Sequence, residues 1–259
     1  LKLWLAKTYV LMDSNEEAKT TLVDLLSDSF SGSKDLQQAA YLFVHLNEFS
    51  LAANALEKSI HVSEQFDPTS LMDLAVIYSL LDERKRALDI LNVEESIQRQ
   101  YPQLVLLKSD VLCSLGQYSH AMNSLNLIKD HYEGTFGQSS ATIDESPQSP
   151  LLYKYDLTLT GYLYRSGFLH RVLGNIVEAQ SFLHQAHILE PHNSKFEKAL
   201  CEAYYTGLDF DQALEVGGDQ DSVALRDQKF NPDYLDLLCT HTEIALIKED
   251  HEKARLLEQ

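Results

Sequence analysis

An alanine recurs along this chain at a nearly constant interval, and this repeat constrains the fold more than any other feature of the sequence. The recurring positions are Ala18, Ala52, Ala87, Ala121, Ala179, Ala213 and Ala254. The steps between them are 34, 35, 34, 58, 34 and 41 residues. In the first five copies a leucine follows four residues later, at Leu22, Leu56, Leu91, Leu125 and Leu183. A period of about 34 residues predicts similar structural units stacked along the chain.

A second pattern precedes each alanine, in which a small residue is followed three residues later by a large one. Clear copies are Ala6 with Tyr9, Ala40 with Phe43, Ala75 with Tyr78 and Cys201 with Tyr204. Weaker copies are Ser109 with Leu112, Gly167 with His170 and Thr242 with Ala245. Small residues let the two helices of a hairpin approach closely, and large residues one turn away fill the groove between hairpins. Because one hairpin cannot bury its own apolar face, neighbouring hairpins stack and share a core.

The combined pattern resembles the tetratricopeptide repeat (TPR) family. The clearest repeat unit runs from Leu163 to Pro191 and carries Gly167, Gly174, Ala179 and Ala186 at family positions. The family's Trp position in the first helix holds Leu36, Leu71, Val105 and Leu163 instead, and the only Trp, Trp4, lies elsewhere. The resemblance implies an all-α fold, a right-handed superhelical solenoid of antiparallel helix pairs with about seven hairpins.

Two segments interrupt the repeat. Residues 134–150 are rich in Ser, Gly, Pro and acidic residues, which predicts a flexible insertion. Whether this insertion also contacts a partner is left open. Residues 217–231 open with a Gly pair and predict a linker break. The predicted boundaries therefore place repeat units one to four at 1–133, units five and six at 151–216, and an incomplete seventh unit at 232–259. The apolar stretch 151–162 is expected to lengthen the first helix of the fifth unit.

The chain is strongly acidic, with a net charge of −18. Such a surface repels phosphate backbones, so no nucleic-acid partner is expected. An RNA-binding helical repeat is the alternative, and it would require measurable RNA affinity at physiological salt. No stretch approaches the ~18 consecutive apolar residues of a membrane span, so no direct membrane insertion is expected. Both ends of the sequence fall within helical patterns, which predicts a fragment of a longer protein. The compartment is left open, with the cytoplasm favoured over the bacterial periplasm.

No sequence motif indicates a reactive centre. Walker, GxGxxG, GxSxG, HExxH and EF-hand patterns are all missing from the sequence. The nearest approach to metal-ligand spacing is His184, His187 and Glu190 on one predicted helix, and we interpret these as solvated helix residues. The sequence therefore predicts that the chain is not an enzyme and holds no metal or cofactor.

In TPR proteins the first helix of each unit lines a concave surface along which ligands bind, and the resemblance implies a corresponding groove here. The groove positions carried over from the family are Lys34, Tyr41, Val44, His45, Met72, Val76, Leu106, Asp110, Tyr164, Phe168, Arg171, Lys195, Lys198 and Tyr205. This mixture of aromatic and aliphatic residues with few charges suits an amphipathic helix or an extended segment with apolar anchors. The aromatic residues are the expected hot spots, unless each packs against the next hairpin.

The same positions exclude one well-known ligand class. The carboxylate clamp that holds Hsp70 and Hsp90 tails needs Lys and Asn at fixed positions in three successive units, and the Asn residues are missing here. The sequence thus predicts a protein–protein interaction scaffold or adaptor domain that belongs to a larger protein and acts within a multi-protein assembly. Secretion, export or envelope-assembly machinery is one setting for such an assembly. Two alternatives stay open, a regulatory TPR domain of a larger enzyme and a self-assembling, homo-oligomeric structural module.

Overall fold

The computed structural model describes residues 1–28, 31–63, 65–133, 149–152, 155–216, 240 and 243–244. In this part of the chain the regular secondary structure consists of 14 α-helices without a strand. The chain divides into two compact bodies, an N-terminal body (Leu1–Leu157) and a C-terminal body (Thr158–Gln259). Among the described residues, no helix has the length and apolar character needed to cross a membrane.

The N-terminal body contains four helical hairpins and two short helices. Its helices are α1 (Lys2–Leu11), α2 (Asn15–Ser27), α3 (Ser33–His45), α4 (Phe49–Val62), α5 (Pro68–Leu80), α6 (Arg84–Leu91), α7 (Glu95–Gln100), α8 (Pro102–Ser114), α9 (Tyr118–Asn126) and α10 (Lys129–Glu133). The hairpins pair α1 with α2, α3 with α4, α5 with α6 and α8 with α9. The first helices of these hairpins are therefore α1, α3, α5 and α8.

The C-terminal body contains two further hairpins in its described part. These consist of α11 (Leu159–Val172) with α12 (Ile176–Leu189), and α13 (Ser194–Thr206) with α14 (Phe210–Glu215). The predicted break at 217–231 lies outside the described residues, as does the predicted seventh unit except for residues 240 and 243–244. Ile244 packs with Cys201 and Ala213, so this position belongs to the core of the C-terminal body.

The recurring alanines lie where the two helices of each hairpin meet. Those in the six described hairpins are fully buried: Ala18, Ala52, Ala87, Ala121, Ala179 and Ala213. The small residues of the upstream pattern are buried with them: Ala6, Ala40, Ala75, Ser109, Gly167 and Cys201. Gly167 shows why this position must be small, because a Cβ there would lie 2.5 Å from Cγ of Leu183. The small residues of the sequence repeat thus mark the positions where two helices approach closely.

Each described hairpin turn contains one residue with positive φ. These residues are Asp13 (59°), Asn47 (60°), Asp82 (61°), Gly116 (72°), Gly174 (84°) and Leu208 (61°). In the first turn the Asp13 amide donates to the Val10 carbonyl at 3.1 Å and the Ser14 amide donates to the Tyr9 carbonyl at 2.9 Å. This pair of bonds is a Schellman motif, and the other five turns repeat it. The large residue of the upstream pattern supplies the accepting carbonyl, so that pattern also marks where each first helix ends.

The prediction that residues 151–162 lengthen the fifth first helix holds for residues 159–162 and is wrong for the described residues before them. Helix α11 begins only at Leu159, and no α-helix covers the described residues 149–152 and 155–158. A local turn competes with the helix, because the Leu151 amide donates to the Ser149 hydroxyl oxygen at 3.1 Å and the Leu152 amide donates to the Ser149 carbonyl at 3.2 Å. This stretch instead packs into the N-terminal body.

Candidate functional site

In the N-terminal body, polar side chains join the facing first helices α3 and α5. The Tyr41 hydroxyl donates to Oδ2 of Asp73 at 2.7 Å, and the Gln37 side-chain amide donates to Oδ2 of Asp67 at 2.5 Å. Asp67 also caps α5, because its Oδ1 accepts the Thr69 amide at 3.0 Å. These contacts fix the register of the two helices and place the Asp73 carboxylate at their centre.

The Asp73 carboxylate is fully buried and accepts two hydroxyl groups. Tyr41 donates to one oxygen and Ser149 donates to the other. Burial raises the pKa of Asp73 to about 6, while the two hydrogen bonds act in the opposite direction. Burial, reinforced by the negative charge of Asp73, raises the pKa of Tyr41. Because a buried carboxylate is costly without hydrogen-bond donors, Asp73 ties Ser149 to α5.

The chain itself therefore covers part of the α3/α5 surface, at Asp73. We call the described residues 149–152 and 155–157 the return segment, since they follow the fourth hairpin and pack back on the same body. Ser149 is only 5% exposed and Leu152 only 2% exposed. Leu157, at the end of the segment, is buried as well. A hydroxyl and two leucines thus anchor the return segment.

Three predicted groove residues of the N-terminal body are buried and inaccessible to a partner. Met72 and Val76 on α5 are 3% and 4% exposed, and Leu106 on α8 is 0% exposed. An amphipathic helix in a simple stack buries one stripe, whereas α5 and α8 are buried over most of their surface. The structure corrects the expectation at these positions, because it makes them core residues.

The remaining predicted residues of the N-terminal body retain accessible surface. Lys34 and His45 on α3 are exposed, while Tyr41, Val44 and Asp110 are half-buried. Of these, Tyr41 has its hydroxyl committed to the Asp73 carboxylate. Helix α3 therefore presents its two ends, Gln38 near its middle and part of Val44 to solvent.

In the C-terminal body, the facing surfaces of α11 and α13 bring most of the other predicted residues together. Lys195 Nζ lies 4.0 Å from the ring centroid of Tyr164, which is a cation–π arrangement. Arg171 Nη1 lies 2.8 Å from Glu202 Oε2, and the Arg171 guanidinium lies 5.9 Å from the Phe168 ring centroid. We call the surface formed by Tyr164, Phe168, Arg171, Lys195, Lys198 and Tyr205 the α11/α13 face.

Two aromatic residues of the α11/α13 face also have structural contacts. The Tyr164 ring lies 5.6 Å, centroid to centroid, from the ring of the buried Phe196. The Tyr205 ring lies 5.8 Å from that of Phe210. Both tyrosines are half-buried, so each offers one side to the core and another to solvent. Substituting either one would change packing as well as the surface.

The described residues contain no group of three His, Cys, Asp or Glu side chains arranged to hold a metal ion. The residues nearest to metal spacing in the sequence, His184, His187 and Glu190, lie at the C-terminal end of α12 and just beyond it. Glu190 has a structural role there, because one carboxylate oxygen accepts the Thr160 hydroxyl at 2.8 Å and the other accepts the Asn193 side-chain amide at 2.8 Å. The carboxylate thus joins the starts of α11 and α13.

Sequence reasoning missed Asp73 and Ser149. The available signal for Asp73 was an acidic residue inside the otherwise apolar stretch 71–78, since such residues are rarely buried without partners. Ser149 carries no comparable signal, because its importance depends on a contact with a residue 76 positions away. Periodicity identifies helices that face each other, and it does not identify a distant segment that lies across them.

Paired antiparallel helices, repeated at about 34 residues with a small residue at each crossing, define the fold of a TPR-like helical repeat solenoid. This confirms the all-α fold expected from the sequence. Similar solved structures include a tetratricopeptide repeat protein from Parabacteroides merdae ATCC 43184, which has a TM-score of 0.58 and 13% identity over 99% of this chain and 89% of that chain.

Two further structures share the architecture. PilW, a widely conserved type IV pilus biogenesis factor, has a TM-score of 0.62 and 16% identity over 87% of this chain and 90% of that chain. The C-terminal part of a TPR repeat-containing protein from Cytophaga hutchinsonii has a TM-score of 0.63 and 12% identity over 98% of this chain and 92% of that chain. At these identities the likeness concerns the fold alone. No family model and no curated protein matches the sequence.

Proposed function

We propose that this chain is a protein–protein interaction domain that holds a segment of a partner protein on the α11/α13 face. The observation that carries the proposal is the clustering of half-buried aromatic rings with basic side chains on two adjacent first helices, as in the Tyr164–Lys195 pair. Such a surface supplies apolar anchor points and charge complementarity without any covalent step. The description of PilW as a pilus biogenesis factor is in keeping with a role in assembly.

Charge suggests the chemistry of the partner. The described residues 158–216 contain four Lys and Arg side chains, and three of them, Arg171, Lys195 and Lys198, lie on the α11/α13 face. Arg171 pairs with Glu202, and Lys195 and Lys198 carry the other positive charges of this face. On a chain with a net charge of −18, we expect this basic face to attract an acidic segment of a partner. The proposed ligand is a helix or extended segment that combines acidic residues with apolar anchors.

Affinity capture with variants of this face tests the proposal. The chain is used as bait in an extract of its native host, with captured proteins quantified by mass spectrometry. A variant with Phe168→Ala and Lys195→Glu should lose the specific partner while keeping the far-ultraviolet circular dichroism of the original chain. Lys85→Glu on α6, which is exposed on a second helix, is the control for changed charge and should retain the partner. Equal capture by all three proteins would exclude the α11/α13 face as the site.

A further inference from the structure

Helix α5 is buried over most of its surface, and the return segment contacts it at Asp73. In α3, burial is confined to one stripe, formed by Leu36, Ala39, Ala40 and Phe43. In α5 the residues from Met72 to Tyr78 are all buried. Part of this cover, at Asp73, comes from the return segment, whose Ser149 hydroxyl donates to the carboxylate.

The return segment has the features of a bound peptide. It is non-helical, its Ser149 side chain bonds a buried group of the solenoid, and its Leu152 side chain is an apolar anchor. Peptide segments bind helical-repeat surfaces through the same combination of a few anchors and specific polar contacts. The return segment thus contacts the surface around Asp73 much as a separate peptide ligand would.

We infer that the α3/α5 surface around Asp73 is a second segment-binding site, occupied in cis by the return segment, and that it accepts a partner segment of the same chemistry in its place. The matching chemistry is a serine or threonine hydroxyl followed three residues later by a leucine, as in Ser149 and Leu152. This site lies in the N-terminal body and does not depend on the α11/α13 face. The two sites can therefore be tested separately.

The hydroxyl requirement follows from the hydrogen bonds of Asp73. When the return segment leaves, the buried carboxylate keeps the Tyr41 hydroxyl and loses the Ser149 hydroxyl. A site built around a buried polar group discriminates strongly against a ligand that lacks the matching group, because the buried group is then left unpaired. A segment with alanine at the Ser149 position should therefore bind at least tenfold more weakly than one with serine.

The test uses a fluorescein-labelled synthetic peptide that copies residues 147–158 and measures its binding to the full chain by fluorescence anisotropy. In the original chain the return segment competes, so binding should be weak. In the Ser149→Asp chain, repulsion from Asp73 should release the return segment, and the peptide should bind at least tenfold more tightly. Ser149→Ala removes the hydroxyl without adding charge and should give a smaller gain. A peptide with alanine at the Ser149 position is the matched ligand control.

Each result has a definite meaning. Tighter binding to the Ser149→Asp chain, lost when Asp73→Ala is added, supports the site. Binding that is no tighter than to the original chain, or that is insensitive to the serine in the peptide, overturns it. Light scattering on the Ser149→Asp chain distinguishes a further outcome, since a dimer would mean that the segment of a second copy takes the site and that no partner protein is needed. Lys195→Glu should leave all these affinities unchanged.

Discussion

Gly167 on α11 packs against Leu183 on α12 so closely that there is no room for a side chain. A Cβ at this position would lie 2.5 Å from Leu183 Cγ and 3.3 Å from the Ala179 carbonyl oxygen. Gly167→Ala should lower the free energy of unfolding of the C-terminal body by about 1–2 kcal/mol, because overpacking outweighs the gain of helix propensity. Urea unfolding followed by circular dichroism measures the change.

The control for Gly167 is Gly32→Ala in the N-terminal body. A Cβ at Gly32 would meet nothing within 4 Å, and φ there is −72°, which any residue adopts. This change should alter the free energy of unfolding by less than about 1 kcal/mol. A Gly167→Ala chain as stable as the Gly32→Ala chain would show that α11 and α12 are not held in close contact.

Leu208 occupies the left-handed position of the turn between α13 and α14, with φ of 61° and 74% of its surface exposed. In the other described hairpin turns this position holds Asp, Asn or Gly, which adopt positive φ at lower cost. Leu208→Asn should therefore raise the free energy of unfolding by about 1 kcal/mol. The reverse change, Asn47→Leu, should lower it by a similar amount. Thermal and urea unfolding check both, and opposite signs would contradict the turn assignment.

The raised pKa of Asp73 predicts a stability that depends on pH. The pKa of Asp73 is about 6 in the folded chain against 3.8 for an ordinary aspartate, so between these limits the folded chain binds more protons than the unfolded chain. The contribution of Asp73 to stability therefore falls as pH rises from about 4 to about 6, and it improves as pH falls. Tyr41, Ser149 and Asp67 are the groups that set this pKa, after burial.

The measurement compares the original chain with Asp73→Asn, which cannot titrate. When the pH is lowered from 7 to 5, the free energy of unfolding of the original chain should rise by about 1–2 kcal/mol relative to that of Asp73→Asn. The comparison cancels contributions from other carboxylates that the two chains share. A difference that stays constant over this range would mean that Asp73 is not buried as described.

The fold was predictable because the repeat encodes local packing. The buried Ala179 and Gly167 in adjacent helices are visible as a small-residue pattern, and the ends of the first helices are visible in residues such as Tyr9 and Tyr204. Leu208 was not predictable as a turn residue, because leucine rarely adopts positive φ and a glycine, Gly207, stands directly before it. The Gly207 position is tight, since a Cβ there would lie 2.7 Å from the Gln180 side chain.

The candidate sites were only partly predictable. Lys195 and Tyr164 lie on successive first helices, but they meet about one turn out of repeat register, which the repeat alone does not predict. Met72 and Val76 fail as groove residues, because both side chains are buried in the N-terminal body. The bond between Ser149 and Asp73 is a tertiary contact across 76 residues, and a repeat pattern contains no information about it.

The most direct test of partner binding by the α11/α13 face is a titration of the captured partner segment against two charge-matched variants. Lys195→Glu changes the face itself, and Lys85→Glu makes the same change on the exposed surface of α6. Isothermal titration calorimetry should give a dissociation constant at least tenfold higher for Lys195→Glu and unchanged for Lys85→Glu. Equal dissociation constants for the two variants would contradict the account.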